Sequence, residues 1–450
     1  MALFKNSYWL RSGIYTLLQR LSNMMFGFVG FILLVRMMPK SDFGAWALFI
    51  TVAALIEVAR NGLVQNALIK HLVGCDEPDK KIVMESSFSL NFIVTFVSIT
   101  FLLSCGGLLS AMWKTPQLQT LFMIYTFTTF CLLFLSQSNF IQQANLDFKG
   151  IFFSDLIRQG TFFSCIAYQY AVYKSISLEQ LAMYQVIGAF LGAANSLFFV
   201  SRYFKISFGF HWERIKMQFN FGKYVFGTNI SSMIFTSIDQ VMLGILLPTS
   251  NVALFNAANR VTNYVEVPLS SVAQIVFPQS AKRVAEEGLQ AACYLYERSV
   301  GLLLAMILPV VIFTMVFAKQ IIFLLAGKSY SASIAILQII VLATIFQPFV
   351  RQFGVALDSI GKPKLNFICI LITSLINIGS NFFFISVFGL IGAAYGTLTT
   401  LFIFFIATQI ILKRLLNSRF QNIFIHSYLI YRDSIKLILT SLNRRKKKGT

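Results

Sequence analysis

The sequence predicts an all-α polytopic membrane protein of about twelve transmembrane helices, in two six-helix bundles related by an internal parallel repeat. Three observations carry that expectation. The first is composition. Of 450 residues, 57% are hydrophobic and only 12% charged, whereas a soluble domain carries about 25% charged residues. So few charges cannot cover a water-facing surface. The second is run length. Apolar stretches of about 18 or more residues recur along the chain, each long enough to cross about 30 Å of hydrocarbon as a helix. A β-barrel would show short alternating runs instead. The third is the repeat, described below.

Spans are expected at 12–35, 44–69, 87–110, 118–140, 152–173, 181–200, 222–247, 252–278, 298–326, 332–357, 365–386 and 389–412. The connections are short, and several carry Pro, Gly or Lys, as in "MMPKSDFG", "KTPQ", "LLPTSN" and "GKPK". The organisation read from them is a first bundle over 1–200, a linker over 201–221, a second bundle over 222–412 and a basic, partly amphipathic tail over 413–450. The first apolar run is too long for a cleavable signal peptide and continues into the array.

Lysine and arginine orient the chain. With the N-terminus in the cytoplasm, inner segments hold about 25 of them and outer loops about six. A fourfold bias over many short loops is a positive-inside signal, and an even number of spans puts both termini in the cytoplasm. The formal net charge of +20 is then topology charge, and nucleic acid is not implied. In the tail, Leu429, Ile430, Ile435, Leu437, Ile438 and Leu442 fall near one helical face before "RRKKK", the pattern of a helix lying on an anionic leaflet; a disordered solubilising tail is the competing reading.

The repeat appears when the chain is shifted by 209 residues. Segment 34–65 then lies on 243–274 with seven of 32 positions identical: Leu34/Leu243, Pro39/Pro248, Ser41/Ser250, Val52/Val261, Glu57/Glu266, Val58/Val267 and Gln65/Gln274. Matched apolar residues are cheap in membrane segments; a matched turn proline, glutamate and glutamine are less so. Both copies start on the same side, so the repeat axis lies along the membrane normal, the arrangement of two bundles that alternate access between them.

Charges at mid-membrane depth cost about 2.5–3.5 kcal/mol each on insertion scales and face protein or water. Glu57/Arg60 and Asp155/Arg158 are spaced i,i+3 and can neutralise each other on one face; Glu297/Arg298 falls near the inner interface. Arg20, Asp239 and Arg260 have no partner within their own helices. Arg20, Arg60, Arg260 and Arg351 are the candidate substrate-binding residues, because guanidinium binds phosphate bidentately. Glu57, Asp239 and Glu266 are the candidates for proton or Na⁺ coupling, or for pairing that changes between states. A structural ion pair is the competing reading of each.

Enzyme signatures are absent. His71, His211 and His426 lack metal-ligand spacing, no P-loop occurs, and the six cysteines are scattered singly as small apolar residues. The expectation is therefore a non-enzyme with no metal and no cofactor beyond a coupling ion.

With these residues in place, the chain resembles bacterial Wzx-type polysaccharide-unit flippases of the multidrug/oligosaccharidyl-lipid/polysaccharide exporter superfamily. The matching pieces are "SDFGAWALF" (41–49), "QANLDF" (143–148) and "LDSIGKPK" (357–364). Across spans seven and eight they are Asp239, Gly244, Phe255–Ala258, Arg260, Pro268 and Phe277-Pro278. Phe255 stands where the family has Tyr, and Leu254 where it has Gly. The resemblance implies the fold of multidrug and toxin extruders. It implies a cargo of undecaprenyl-pyrophosphate-linked oligosaccharide, flipped without ATP to the outer leaflet of the bacterial inner membrane for O-antigen, capsule or exopolysaccharide. It also implies other polysaccharide-assembly proteins as partners. The alternatives are a multidrug or small-molecule antiporter of the same superfamily, a membrane polymerase or ligase, which would need a long outer loop, and a non-transporting scaffold.

Overall fold

The computed structural model describes residues 7–73, 77–145, 147–203, 209–263, 269, 272, 276, 280, 283–284 and 286–432, which contain no strand. In chain order the helices are α1 (Ser7–Met37), α2 (Lys40–Val73), α3 (Glu77–Met112), α4 (Gln117–Ala144), α5 (Phe148–Val172), α6 (Leu178–Val200), α7 (Trp212–Leu246) and α8 (Thr249–Thr262). After them come α9 (Leu289–Val316), α10 (Ala318–Ala326), α11 (Ser333–Ala343), α12 (Gln347–Ser359), α13 (Pro363–Phe388) and α14 (Leu390–Leu416). A last helix, α15, covers 420–432.

Among the described residues, ten stretches are long and apolar enough to cross a membrane. Two of the twelve expected spans are not among them, for different reasons. The fifth is the 25-residue α5, whose Lys149, Asp155 and Arg158 lower its hydropathy; it packs between α1 and α6. The eighth is described over Thr249–Thr262, and most of its remainder lies outside the described residues. The expected tenth span is one passage broken in the middle. Pro348 has no N–H to offer the Thr344 carbonyl four residues back, and the chain tightens into a 3-10 turn over Thr344–Phe346 between α11 and α12.

Helix ends follow local chemistry. Ser177 accepts from the Gln180 amide while the Gln180 side chain accepts from the Ser177 amide, a complete capping box at the start of α6. Asn417, at φ 55°, closes α14 in the left-handed conformation, with its amide bonded to the Lys413 carbonyl.

The chain divides into two compact units, Met1–Ala253 and Leu254–Thr450. In the first, α2, α3, α4, α6 and α7 share an apolar core that includes Leu68, Val83, Leu90, Phe140, Val200 and Ile215. Helix α7, which starts inside the expected linker 201–221, packs with α2 and α3 in this unit. In the second, Tyr296, Val300, Phe353, Leu357, Phe404 and Ile423 join α9, α12, α14 and α15.

Small residues set the close approaches. A Cβ on Gly188 would lie 2.6 Å from the Arg158 carbonyl oxygen, and one on Gly192 2.8 Å from Arg158 Cβ, so "GAFLG" seats α6 against the backbone of α5. In the second unit "GAAYG" does the same between α14 and α13: a Cβ on Gly392 would meet the Phe384 carbonyl oxygen at 2.0 Å. With no hydrophobic force to drive helices together in lipid, such small-xxx-small faces hold them by contact.

The repeat is visible in the helix boundaries. Helix α1 ends at Met37 and α7 at Leu246; α2 begins at Lys40 and α8 at Thr249. Both pairs differ by 209, the shift of the sequence match. Each break sits on the matched proline, Pro39 or Pro248, whose missing N–H and fixed φ suit a helix start.

Helix α15 runs beside α9: the Arg419 amide donates to Glu297 at 2.7 Å, a Cβ on Gly301 would touch the Ile423 carbonyl oxygen, and Tyr431 Oη donates to the Ala305 carbonyl at 2.5 Å. Buried Glu297 supplies the cap that the α15 sequence lacks and also accepts from Asn422 Nδ2 at 2.9 Å. Residues 433–450, which carry the rest of the expected amphipathic face, lie outside the described residues.

Candidate functional site

The charges of the first unit converge between α1, α2, α4 and α5. Asp155 and Arg158 pair at 3.4 Å, as their spacing predicts, and Gln19 on α1 donates to the Asp155 carboxylate. Arg20, one residue on, is exposed and makes no ion pair or hydrogen bond among the described residues. Glu57 and Arg60 are not in ion-pair contact. Arg60 is 1% exposed and donates through Nη1 to the Thr129 carbonyl on α4 at 3.3 Å, with Glu57, Tyr125 and Arg158 in electrostatic reach. Its Nε has no acceptor among the described residues. In this conformation Arg60 is sealed between α2 and α4 and presents no face to a cargo, whereas half-buried Glu57 is more accessible.

The remaining candidates are spread along the chain. Asp239 is buried on α7; Arg260 is half-buried on α8 and Arg351 exposed on α12. All three take part in a polar or electrostatic contact, so none is a bare charge. Glu266 lies outside the described residues. Glu297 accepts from the Arg419 amide and the Asn422 side chain, while Arg298 donates to Tyr294 Oη.

Helices α2 and α7 run antiparallel in contact along most of their length. At one end a Cβ on Gly244 would lie 2.8 Å from Leu48 Cδ1, and just beyond it one on Gly44 would lie 1.8 Å from the carbonyl oxygen of Thr249, the first residue of α8. At mid-length Thr51 Oγ1 donates to Gln240 Oε1 at 3.2 Å. At the other end a Cβ on Gly222 would lie 2.0 Å from the Leu63 carbonyl oxygen. Helix α3 braces the same helix: Trp113 Nε1 donates to the Val241 carbonyl at 3.4 Å, and Gln218 Nε2 donates to the Val83 carbonyl at 3.1 Å. The seam is closed from end to end, on glycines at both extremes.

A buried polar network was not foreseen. Asn91 Nδ2 on α3 donates to Gln137 Oε1 on α4 at 3.1 Å, and Gln137 Nε2 donates to Ser87 Oγ at 3.2 Å. Gln142 is 0% exposed a turn further on. The signal was present: Ser87, Asn91 and Thr95 recur every fourth residue and face the polar run "SQSNFIQQ". Asn377 and Thr400, at 3.4 Å, play the same part between α13 and α14. Each such bond is worth about 0.6 kcal/mol in a bilayer, enough to fix rotation about a helix axis but too little to mark a transport site.

Comparison with known proteins follows this geometry. A family model described as polysaccharide biosynthesis protein matches residues 33–335. A probable low-salt glycan biosynthesis flippase of Haloferax volcanii, Agl15, is 24% identical over 186 residues, 41% of this chain and 39% of the relative. An uncharacterised membrane protein of Methanocaldococcus jannaschii is 27% identical over 214 residues, 47% of this chain and 42% of the relative. The chain thus spans about two fifths of the length of these curated relatives. Among solved structures, the lipid II flippase MurJ in an inward closed conformation superposes with a TM-score of 0.76 at 16% identity, over 94% of this chain and 92% of that one. A multidrug resistance MATE family transporter of the MOP superfamily superposes at 0.73 in its inward-facing form, with 16% identity over 87% and 95%. An outward-facing form gives 0.65, with 18% identity over 91% and 95%. At these identities the likeness is one of fold, and the expected MATE-like all-α fold is the one observed.

Proposed function

Because this chain belongs to the polysaccharide biosynthesis protein family, we propose that it is a flippase for lipid-linked oligosaccharide. In this reading it moves undecaprenyl-pyrophosphate-linked repeat units from the inner to the outer leaflet of a bacterial inner membrane, for surface polysaccharide. Both termini are cytoplasmic, as the bias in Lys and Arg supports. The pyrophosphate and sugars cross between the bundles while the prenyl tail stays in lipid. Arg20, Arg260 and Arg351 meet the anion, and Arg60 joins them once α2 turns away from α4. Glu57, Asp239 and Glu266 carry the coupling ion or exchange partners between states. No ATP is used.

The observation that carries this reading is the α2–α7 seam. A contact built on glycines at both ends parts with little side-chain interlock to undo, as an alternating-access gate must. The family match favours a glycan cargo over a drug, and the Agl15 relative is itself named a flippase.

The test is a deletion strain. Loss of the protein should leave lipid-linked repeat units on the inner leaflet and remove surface polymer. Normal polymer in a deletion strain without a paralogue rejects the reading. Arg260→Ala and Arg20→Ala should lower export while membrane abundance holds.

A further inference from the structure

The beginning of α7 is fastened to the beginning of α3 by polar groups that the cargo reading leaves unused. Arg214 Nη2 meets Asp79 Oδ2 at 2.9 Å. Glu85, itself 8% exposed, lies 3.3 Å from His211 Nε2 and, within its own helix, 3.8 Å from Lys81 Nζ. Ser89 Oγ donates to the Gly209 carbonyl at 3.1 Å, and Gln218 Nε2 to the Val83 carbonyl. These contacts tie 209–218 to 79–89, all at the end of the seam where Gly222 meets Leu63.

The opposite end is held by other means. There the contacts are Gly44 with Thr249, Gly244 with Leu48, and the Trp113 indole with the Val241 carbonyl. These three are two glycine approaches, one to the Thr249 backbone that opens α8 and one to the Leu48 side chain, and a neutral hydrogen bond. The 209–222 end has a glycine approach too, at Gly222, and adds the charged contacts to it. Charged contacts weaken with salt and when a partner is neutralised; contact over glycine does neither. Loss of the charged contacts therefore loosens that end and leaves the other as it was.

We propose that Asp79–Arg214, supported by Glu85–His211, is a latch that keeps the 209–222 end of α7 closed against α3 and α2, and that its release opens that end alone. The proposal rests on the transport reading only in requiring that α7 moves; the latch itself does not depend on the cargo.

Two buried positions on α7 report the two ends: Ile215, 3% exposed, and Leu243, 0% exposed. In the full-length protein in membranes, with the native cysteines replaced by serine, Ile215→Cys or Leu243→Cys is labelled with a maleimide. Arg214→Gln and Asp79→Asn should each raise the labelling rate at position 215 about two- to fivefold, the range set by a partly exposed ion pair. Raising NaCl to about 0.5 M should do the same without any substitution. The swapped pair Asp79→Arg with Arg214→Asp should return the rate to within about twofold of the parent. The rate at position 243 should not change. Unchanged labelling at 215 in both single variants overturns the latch. Equal acceleration at 243 also overturns it, because the helix would then be loosening as a whole, and so does a swap that stays as fast as the single variants. Polymer export is not read in this experiment, so a wrong cargo assignment leaves its outcome untouched.

Discussion

Adding one methyl group at Gly44 tests the seam from the end where backbone meets backbone. In Gly44→Ala the new Cβ would stand 1.8 Å from the Thr249 carbonyl oxygen and 2.6 Å from its carbon. Non-bonded heavy atoms settle at about 3.5 Å, so the backbones must separate by about 1.5 Å. The obstacle is main chain on both sides, and no rotamer change relieves it. A gap of about 1 Å already forfeits up to about half of the dispersion well of the atoms lining it, and overpacking of this kind costs about 1–3 kcal/mol. The closed seam should therefore lose about 5- to 150-fold in population relative to the open one. A cross-link reports it. The Thr51 hydroxyl and the Gln240 amide meet at 3.2 Å, so Thr51→Cys with Gln240→Cys should be joined by a short bifunctional thiol reagent in membranes, and at least fivefold more slowly once Gly44→Ala is added. Equal cross-linking rates at equal abundance would show that the approach of α2 to Thr249 does not hold the seam.

Four further outcomes are expected. Glu297→Ala removes the acceptor for the Arg419 amide and the Asn422 side chain; at about 1–3 kcal/mol for stranded buried donors, limited proteolysis between Asn417 and Asn422 should accelerate at least fivefold, and unchanged cleavage would refute the cap. Asp155→Ala leaves Arg158 and Gln19 without their carboxylate and should lower the melting temperature of the detergent-solubilised protein, where Arg20→Ala should not. Arg60→Met replaces a buried guanidinium with an apolar side chain of similar length; because desolvating such an ion costs several kcal/mol, melting should hold steady or rise, and a fall would mean that the Thr129 contact outweighs the burial. Gly392→Leu drives a side chain into the Phe384 carbonyl and should abolish membrane accumulation, whereas Gly379→Leu, at a position open to at least 4 Å, should not.

Much of the fold was legible because bilayer solvation acts on long windows. Runs of apolar residues and a proline at each matched turn are coarse signals that survive local variation. The turns at Pro39 and Pro248 were legible, while the span ends around them, expected at 35 and 44 and at 247 and 252, fall up to four residues from the observed breaks. Where the reading fell short, a single contact outweighed the pattern. Arg60 was spaced to meet Glu57 but turns to a carbonyl on α4, because a helix-face rule says nothing of which neighbouring helix lies nearer. Of the face read over 429–442, α15 holds only Leu429 and Ile430; what the periodicity did not foretell is that Glu297 and Gly301 on α9 give α15 a cap and a groove. The network of Ser87, Asn91 and Gln137 is visible as spacing, but hydroxyls and amides at that spacing are also common where no network forms. Charges are rarer than amides in membrane helices, but rarity alone does not place a residue in a passage.

The duplicated hairpins also explain why their meeting point is lopsided. Under the shift of 209, Gly44 corresponds to Ala253 and Thr249 to Lys40. An unchanged duplicate would place glycine in both equivalent positions and let each hairpin press its backbone on the other. Only the earlier copy has glycine; the later one carries a methyl group, buried at 0% exposure. The two hairpins have thus ceased to be interchangeable, and grafting residues 249–262 in place of 40–53 would fail at this contact even with every other neighbour preserved.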